Sequence, residues 1–296
     1  MYPYINVFGQ TIPSFGLVIS VGIGVGLLLI YLNCLLRREK AMDPILTAIL
    51  SVVGAFVGAA LLRPITRIPD LIINWEMYAQ VPVGRFFPWL FGELVFYGGL
   101  IGGVLTAWIF CRSFKMSFLP IADAIAPGLP LGHAFGRMGC FLGGCCYGME
   151  VDASHPLAVF YPERTDGYEK VAAPAGVPLF PSPAVEAVGN VLIAAIVLAF
   201  GVITLRKANR WKWVRPGQTV ALYGILYAVQ RFILEYFRGD AHRGIAAGFS
   251  TSQYISMGVF ACSVALFAVI TLRKRAEVVA VEAAEAAEEE KFEKQE

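Results

Sequence analysis

Long apolar stretches recur along the chain, and they restrict its fold more than any other feature of the sequence. Residues 15–36 contain no charged side chain over 22 positions, and a helix needs about 20 residues to cross the hydrocarbon core of a bilayer. Five more apolar blocks of similar length follow at 44–62, 94–111, 184–205, 219–237 and 252–272. Because backbone polar groups cannot hydrogen-bond to lipid, we expect these blocks to be helices.

A seventh block, from residue 119 to about residue 135, is weaker because it contains Asp123, Pro127, Pro130 and His133. It is still mostly apolar, so seven spans are expected, with six spans and a re-entrant segment as the alternative. Charged residues make up 16% of the chain, against about 25% in soluble domains. The sequence therefore predicts an all-α, polytopic membrane protein with about seven transmembrane helices.

The positions of Lys and Arg predict the orientation in the membrane, because cytoplasmic loops carry an excess of these residues. The first 36 residues carry no charge, and the first cations follow the first span. Short loops on one side then hold 13 cations close to the membrane, and longer loops on the other side hold 7. We therefore expect the N-terminus outside and the C-terminus in the cytoplasm. A secretory signal peptide, which begins with a basic segment, is not expected.

The chain is expected to form one transmembrane domain, residues 1–275, followed by an acidic tail, residues 276–296. Two outer segments are long, namely an arm at 63–91 and a small cap at 147–183. The arm is rich in aromatic residues, which favour the membrane interface; they are Trp75, Phe86, Phe87, Trp89 and Phe91. The tail contains eight Glu and two Lys, and it is predicted to extend into solvent.

Two arginines, Arg137 and Arg231, lie within apolar surroundings, whereas the other 22 basic residues lie in loops or in the tail. A cation near the centre of a transmembrane helix costs at least about 2.5–3.5 kcal/mol, so such residues are functional candidates. Pairing for packing, or extension to the interface, is the alternative for each. Guanidinium groups bind phosphate through paired hydrogen bonds, and the commonest phosphate at this depth belongs to a phospholipid headgroup.

The neighbours of both arginines favour an anion site. Arg231, Glu235 and Arg238 are spaced i, i+4, i+7, so one helix would place them on a single face. Glu235 could then pair with one arginine while the other keeps its donors for a ligand. His133 and Arg137 share a helical face in the same way.

Closely spaced glycines accompany this region and would let another helix or a lipid approach the backbone. One stripe consists of Gly132, Gly136, Gly139, Gly143, Gly144 and Gly148, and a second follows Tyr97 at Gly98, Gly99, Gly102 and Gly103. Helix packing is the commoner use of such stripes, and both uses stay open from the sequence.

Five segments carry a more specific pattern: LVFYGGLIGG at 94–103, DAIAPGLPLGHAFGRMGCF at 123–141, SPAVE at 182–186, RFILEYFR at 231–238 and FSTSQYIS at 249–256. In this order they resemble the motifs of the bacterial prolipoprotein diacylglyceryl transferases. The resemblance runs from about residue 94 to residue 257, and residues 12–16 extend it weakly. Five ordered matches are far more specific than any single one.

The resemblance implies an enzyme of the bacterial inner membrane with seven helices, a periplasmic N-terminus and no cofactor. Such an enzyme transfers the diacylglyceryl group of phosphatidylglycerol to the lipobox cysteine of a prolipoprotein and releases glycerol phosphate. The implied partners are phosphatidylglycerol, prolipoprotein signal peptides and membrane lipids. Nucleic acid is not an expected partner.

The resemblance also assigns roles to residues of the site. The family's phosphatidylglycerol-binding arginine corresponds to Arg137, and its second essential arginine corresponds to Arg231, with Glu235 as partner. Tyr97, His133 and Glu235 are the candidate proton handlers, and their order of importance stays open. Further residues expected to bind the lipid are Arg238, Gly98, Gly99 and Gly136.

The sequence departs from the family pattern at four positions. Tyr97 stands where members often carry His, and a phenol with a pKa near 10 is a poor base at neutral pH. Cys140 and Cys145 stand where Asn and Glu are common, and Phe15 stands where Tyr is common. These changes concern proton transfer more than the phosphate site.

Six cysteines require an explanation. Cys34, Cys111 and Cys262 lie in or near spans and are interpreted as small packing residues. For Cys140, Cys145 and Cys146, three interpretations stay open: packing, a disulfide in an oxidising compartment, or a metal site with His133 or His155. The lack of a C-x-x-C spacing argues against the metal, so no metal site is expected. A nucleophilic role is disfavoured because the attacking thiol arrives on the substrate.

Three other functions remain alternatives. A transporter or channel for an anionic substrate would also place Arg and Glu inside the membrane, although no inverted repeat is recognisable. A thiol–disulfide enzyme could use Cys145 and Cys146, but such enzymes usually carry C-x-x-C. A lipid-handling relative with a different acceptor is compatible with the cysteine substitutions.

Overall fold

The structure is a computed structural model of the 296-residue chain, and it describes residues 4–7, 10–78, 81–82, 84–86, 90, 95–162, 173–206, 215–239, 245–246 and 248–293. Helices dominate the described residues. They are α1 (Ser14–Arg37), α2 (Met42–Ile73), α3 (Trp75–Tyr78), α4 (Phe96–Ser113), α5 (Phe118–Ile125), α6 (Gly128–Gly143), α7 (Ser182–Arg206), α8 (Gln218–Leu234) and α9 (Thr251–Glu293).

Three short antiparallel pairs of strands complete the described structure. They are β1 (Tyr4–Val7) with β2 (Gln10–Pro13), β3 (Val159–Phe160) with β4 (Pro178–Leu179), and β5 (Ile245–Ala246) with β6 (Phe249–Ser250).

The predicted class, a helical polytopic membrane protein, is confirmed. Five helical segments within the described residues are long and apolar enough to cross a bilayer: Ser14–Arg37, Met42–Ile73, Ser182–Ile203, Gln218–Phe237 and Thr251–Arg273. The expected total of seven spans stays a prediction. The block predicted at 94–111 corresponds to α4, a helix of 18 residues.

The weak seventh block forms two helices, α5 and α6, rather than one. The break coincides with Pro127, which directly precedes α6, because a proline disfavours helical geometry in the residue before it. Pro130 lies in the first turn of α6, where its missing N–H would have no intrahelical partner in any case.

Two helices extend beyond their predicted spans. The second block was expected to end at residue 62, but α2 continues to Ile73 through Pro64 and Pro69, so the predicted arm begins as part of a helix. Phe87, Trp89 and Phe91 of that arm lie outside the described residues. The last helix continues to Glu293, so the Ala- and Glu-rich tail is helical, as its composition favours.

The chain divides into two compact units, of which the first comprises Met1–Glu39 and Ala122–Glu296. In this unit α1 packs against α6, α6 against α7, α7 against α8, and α8 against α9. Glycines allow the contact of α1 with α6: a Cβ on Gly22 would collide with Phe135, and a Cβ on Gly128 would collide with Ile30 and with the carbonyl oxygen of Gly26.

Asp123, the acid in the weak block, has a structural role in this unit. Its carboxylate is buried and accepts hydrogen bonds from the backbone N–H groups of Gly217 (2.7 Å) and Val220 (2.8 Å). It therefore caps the N-terminus of α8, whose first N–H groups have no intrahelical partner.

The second unit comprises Lys40–Ile121, and within it α2 packs along α4. The two backbones meet at glycines, since a Cβ on Gly98 would collide with the carbonyl oxygen of Gly58, and a Cβ on Gly102 with that of Gly54. This is the close approach that small residues permit in membrane helix pairs.

The described part of the predicted cap forms a small apolar cluster over the β3–β4 pair. Tyr161, Ala173 and Leu179 are buried there. The backbone N–H of Ala173 donates to the carbonyl oxygen of Gly144 (3.2 Å), which ties the cap to the end of α6. Residues 163–172 of the cap lie outside the described residues.

Candidate active site

Arg137 of α6 is anchored through one nitrogen. Its Nε lies 3.1 Å from Oε1 of Glu186 on α7, and it donates a hydrogen bond of 3.2 Å to Nε2 of His133, one turn earlier on the helix. The side chain of Arg137 is 13% exposed and that of Glu186 is 3% exposed. Within the part of the chain that the structure describes, the two Nη groups of Arg137 make no hydrogen bond or ion pair.

Arg231 of α8 is held in a second network. Its Nη2 lies 2.9 Å from Oε2 of Glu235 and donates to Oγ of Ser252 on α9 (3.1 Å). The other oxygen of the Glu235 carboxylate accepts a hydrogen bond from Oγ of Ser250 (2.7 Å). The Nη1 atom of Arg231 is buried and has no hydrogen-bond partner among the described residues.

Both arginines thus contact a carboxylate, but neither uses all of its donors. A guanidinium offers five N–H donors, and the paired Nη groups of Arg137 and Nη1 of Arg231 remain for a ligand. Of these donors, Nη1 of Arg231 is buried, so it carries a desolvation cost that a bound anion would offset. The arrangement is therefore compatible with an anion ligand at both arginines.

His133 belongs to the network of Arg137, and its Nε2 also lies 3.9 Å from Oε1 of Glu186. Its ring lies 5.4 Å from the ring of Tyr227. Its Nε2 accepts the hydrogen bond from Arg137, so the proton of the neutral ring is assigned to Nδ1. The basic lone pair of His133 is therefore engaged by the cation that it helps to position.

An apolar cleft of about 270 Å³ lies between α8 and α9, close to Arg231. Its lining residues are Ala228, Val229, Phe232, Ile233, Ser256, Met257 and Phe260. Phe232 directly follows Arg231, and Oγ of Ser256 donates to the carbonyl oxygen of Ser252, which contacts the same arginine. The cleft therefore offers an apolar wall beside a buried cation, with room for part of an acyl chain.

The prediction that Arg238 shares a helical face with Arg231 and Glu235 is wrong. The α-helix ends at Leu234, residues Glu235–Phe237 form a 3-10 turn, and Arg238 is extended. Its backbone pairs with Gly148 instead. This pairing brings Arg238 to the loop after α6, where its charge acts on Cys146.

The remaining predicted site residues have different surroundings. A Cβ built on Gly136 would meet nothing within 4 Å, which leaves space beside Arg137. Gly98 and Gly99 face α2 instead, where Gly58 and Ala55 approach them. Tyr97 is half-buried on α4, in the unit that comprises Lys40–Ile121. Lipid binding by these glycines and proton transfer by Tyr97 stay predictions.

Glu186 is the site residue to which the sequence assigned no role, although it ends the segment at 182–186. Its carboxylate is among the most buried charged groups of the described residues, and it is the partner of Arg137. The signal that could have revealed it is an acid inside an otherwise apolar span, to which the same argument applies as to the arginines.

Cys140, Cys145 and Cys146 form a three-cysteine cluster at the end of α6. Gly144 adopts a left-handed conformation with φ of 66°, which ends the helix, and the N–H of Cys145 donates back to the carbonyl oxygen of Cys140 (3.0 Å). All three residues are partly exposed free cysteines, and their sulfurs lie within 4.8 Å of one another. His133 and His155, which only the disfavoured metal interpretation included, are not members of this group.

Hydrogen bonds and nearby charges act on the thiol of Cys146 and on the phenol of Tyr161. Hydrogen bonds from Cys140 and Cys145 lower the pKa of the Cys146 thiol, and the charges of Arg238 and Arg137 act in the same direction. Burial, followed by the neighbouring cysteines, raises the pKa of Tyr161 to about 12. The phenol oxygen of Tyr161 is buried and has no hydrogen-bond partner among the described residues.

Comparison with known proteins agrees with this architecture. Residues 3–269 match the family model described as prolipoprotein diacylglyceryl transferase. The phosphatidylglycerol–prolipoprotein diacylglyceryl transferase 2 of Clostridium perfringens is 32% identical, over 92% of this chain and 96% of its own length. The corresponding transferase of Clostridium tetani is 29% identical over 91% of this chain and 98% of its own length, and that of Gloeobacter violaceus is 30% identical over 86% of each. The chain belongs to the prolipoprotein diacylglyceryl transferase family.

Proposed function

We propose that this chain transfers the diacylglyceryl group of phosphatidylglycerol to the lipobox cysteine thiol of prolipoproteins, the first step of lipoprotein maturation. Its family makes it a transferase, and the relatives it resembles are named for this reaction. The observation that carries the assignment of the site is Arg137, which is fixed through Nε while both Nη groups stay available. A phosphodiester is the anion that this fork fits, because two parallel N–H donors match two phosphate oxygens.

Arg137 is proposed to bind the phosphate of phosphatidylglycerol, with Arg231 supplying a second cation. Glu186 and Glu235 position the two guanidinium groups through their ion pairs. The open space at Gly136 admits the lipid backbone beside Arg137. The cleft between α8 and α9 receives part of an acyl chain. Arg238 is proposed to contribute a further positive charge from the loop after α6, where its backbone pairs with Gly148.

In the proposed reaction the thiolate of the lipobox cysteine attacks the glyceryl carbon that carries the phosphate. A C–S bond forms, the C–O bond breaks, and its electron pair leaves with glycerol phosphate. Negative charge therefore grows on the phosphate in the transition state, where the Nη donors of Arg137 and Arg231 stabilise it. Loss of such a preorganised donor typically lowers the rate by about 10²–10³-fold.

Each predicted proton handler has surroundings that limit its use as an acceptor of the thiol proton. His133 already accepts a hydrogen bond from Arg137 at Nε2. Glu235 is paired with Arg231, and Tyr97 offers a hydroxyl that can donate or accept a hydrogen bond. We therefore assign His133 and Glu235 to positioning and keep Tyr97 as a hydrogen-bond donor or acceptor.

We further propose that the protein lies in the bacterial inner membrane with a periplasmic N-terminus and a cytoplasmic C-terminus. The excess of Lys and Arg in the short loops on one side supports this orientation. Residues 1–275 then form the transmembrane catalytic domain, with the arm (63–91) and the cap (147–183) on the periplasmic side. The acidic tail, 276–296, lies in the cytoplasm.

The decisive experiment uses the purified full-length protein in detergent, phosphatidylglycerol labelled in its acyl chains, and a synthetic lipobox peptide. We expect the label to move to the peptide together with release of glycerol phosphate. A peptide with Ser in place of the lipobox cysteine should receive no label, because a neutral hydroxyl is a far weaker nucleophile than a thiolate. Binding of phosphatidylglycerol without transfer to the cysteine peptide would contradict the proposal and favour a relative with another acceptor.

A further inference from the structure

We propose that the three-cysteine cluster binds a Zn²⁺ ion, and that this ion coordinates the acceptor thiol of the prolipoprotein as its fourth ligand. This inference deepens the proposed function and depends on it for the identity of the acceptor thiol. The binding of a metal at the cluster does not depend on that function. It assigns a chemical role to Cys140, Cys145 and Cys146, which the phosphate site does not use.

The distances between the sulfurs fit a thiolate metal site. All three Sγ atoms lie within 4.8 Å of one another. Zn–S bonds of about 2.3 Å in a tetrahedron place sulfurs about 3.8 Å apart. The cluster would therefore contract by about 1 Å or less on binding the ion, which rotation of cysteine side chains can supply.

The backbone presents the sulfurs together despite their irregular spacing. Gly144 turns the chain at the end of α6, and Cys146 also adopts a left-handed conformation, with φ of 58°. Residues with a Cβ rarely adopt this conformation, and such outliers concentrate at functional sites. The following residues are fixed, because Gly148 donates to Phe180 (2.9 Å) and Met149 donates to Phe237 (2.9 Å) through their backbone N–H groups. The cluster is thus formed by an ordered turn.

The cluster leaves one coordination position accessible. Structural zinc sites have four protein ligands, whereas catalytic sites have three and an open fourth position. The described residues supply three cysteines, which are partly exposed. Tyr161 of the cap, which Ala173 ties to the end of α6, adds a second observation, because its ring is buried and its hydroxyl has no hydrogen-bond partner among the described residues.

Local charge is compatible with three thiolates around a divalent cation. Such a centre carries a net charge of about −1, since each ligand must be deprotonated before it binds the metal. Arg137 lies one turn before Cys140 on α6, and the backbone pairing of Arg238 with Gly148 brings Arg238 to the loop that follows. Their positive charges would balance that excess.

The chemical step balances without any change of oxidation state. The acceptor thiol gives its proton to solvent as its sulfur binds Zn²⁺, because a coordinated thiol is deprotonated. The sulfur then forms the C–S bond with the glyceryl carbon, the C–O bond breaks, and the electron pair leaves on glycerol phosphate. The product thioether is a neutral and weaker ligand than a thiolate, so it can leave the ion.

The first test measures the metal in full-length protein purified from membranes in reducing buffer. We expect one zinc per chain in the wild type and in Cys262→Ser, and none in the triple variant C140S/C145S/C146S. Cys262 is the matched control because it is a free cysteine on α9, away from the cluster. Substitution by Co²⁺ should give thiolate-to-metal charge-transfer absorption in the wild type and in Cys262→Ser, but not in the triple variant. Absence of zinc and of this absorption, or purification with copper instead, would overturn the inference.

Tyr161→Phe tests the site in a variant that keeps the packing of the cap. If the phenol of Tyr161 supports the metal ligands, its loss should weaken zinc binding by about 10–100-fold, while thermal unfolding of the zinc-free protein stays unchanged. Tyr147→Phe is the matched control, since Tyr147 packs against the same apolar cluster, and it should bind zinc as the wild type does. If Tyr161→Phe bound zinc as tightly as the wild type does, the phenol would have no role in metal binding.

The second test separates the metal inference from the proposed function. Zinc is removed with a chelator, transfer from phosphatidylglycerol to the lipobox peptide is measured, and zinc is restored. We expect a loss of at least about 100-fold that added zinc reverses. Full transfer by zinc-free protein would refute the metal role and leave the proposed function intact. One bound zinc with no transfer under any condition would refute the proposed function, and with it the role of the metal in activating the acceptor.

Discussion

Replacement of Arg137 by Lys tests the phosphate fork most directly, because it keeps the charge and removes the geometry. In the structure Nε of Arg137 is committed to Glu186 and His133, and the two Nη groups are left for the ligand. Lysine has a single ammonium group at the end of its chain. It cannot contact Glu186 in the same way and also present two parallel donors to a phosphate.

The size of the effect follows from counting donors. A hydrogen bond to a charged group contributes about 1.5–3 kcal/mol. Loss of one of the two Nη contacts to the phosphate therefore raises the barrier by about that amount, which lowers kcat/KM roughly 10- to 150-fold. Arg137→Ala loses both contacts and the charge, so a barrier increase of about 3–6 kcal/mol is expected and the variant should be nearly inactive.

The assay is transfer of labelled diacylglyceryl groups to the lipobox peptide, with kcat and KM for phosphatidylglycerol measured separately. Arg37→Lys is the matched control. The Arg37 side chain is only 4% exposed, and it also pairs with a carboxylate, since its Nη2 lies 3.0 Å from Oε1 of Glu39. It has no proposed part in the reaction and should retain wild-type kinetics. Thermal unfolding in detergent establishes that each variant is folded. Wild-type kcat/KM in folded Arg137→Lys would refute the bidentate contact, and wild-type activity in Arg137→Ala would refute the site.

Three further substitutions separate positioning from packing. Glu186→Gln leaves Arg137 without its buried counter-ion. Breaking such a pair costs about 3–5 kcal/mol, so the variant should unfold in detergent at a lower temperature and its kcat should fall. Unchanged kcat would show that Glu186 does not position the arginine. Asp123→Ala removes the cap of α8 and should destabilise the protein by about 1–2 kcal/mol. The transfer rate per folded molecule should stay unchanged if the role of Asp123 is purely structural. Gly98→Val should collide with Gly58 and reduce the yield of folded protein, whereas a stable variant with only a raised KM for phosphatidylglycerol would place Gly98 in the lipid site instead.

The helical class and the family were predictable from the sequence for separate reasons. Apolar length is a direct physical requirement of the bilayer, so residues 15–36 could be interpreted without knowledge of the fold. Arg137 and Arg231 stood out because a cation in an apolar block needs a compensating partner. The pairing of Arg231 with Glu235 was also predictable, since it depends only on a spacing of four residues, and the pair forms at 2.9 Å.

The rest of the site depends on tertiary contacts that spacing does not encode. Arg238 was misplaced because the helical periodicity was extended through a 3-10 turn that ends α8. Glu186 belongs to α7, and its contact with Arg137 arises from the packing of α6 against α7. The meeting of Cys140 with Cys146 requires a left-handed conformation at a residue other than glycine, which local preference argues against. Such exceptions are concentrated where function competes with local stability.

The ion pairs of this site explain why the acceptor thiol needs help from elsewhere. Glu186 and Glu235 are each committed to a guanidinium through an ion pair. His133 uses its Nε2 lone pair for Arg137. The described network is therefore suited to holding donors against a phosphate and unsuited to removing a proton from sulfur. Thiolate formation must then come from a lowered pKa of the thiol, since the thiolate is the reactive species. The zinc ion that we propose for the three-cysteine cluster would supply that lowering, in the loop that also carries Gly148, the backbone partner of Arg238.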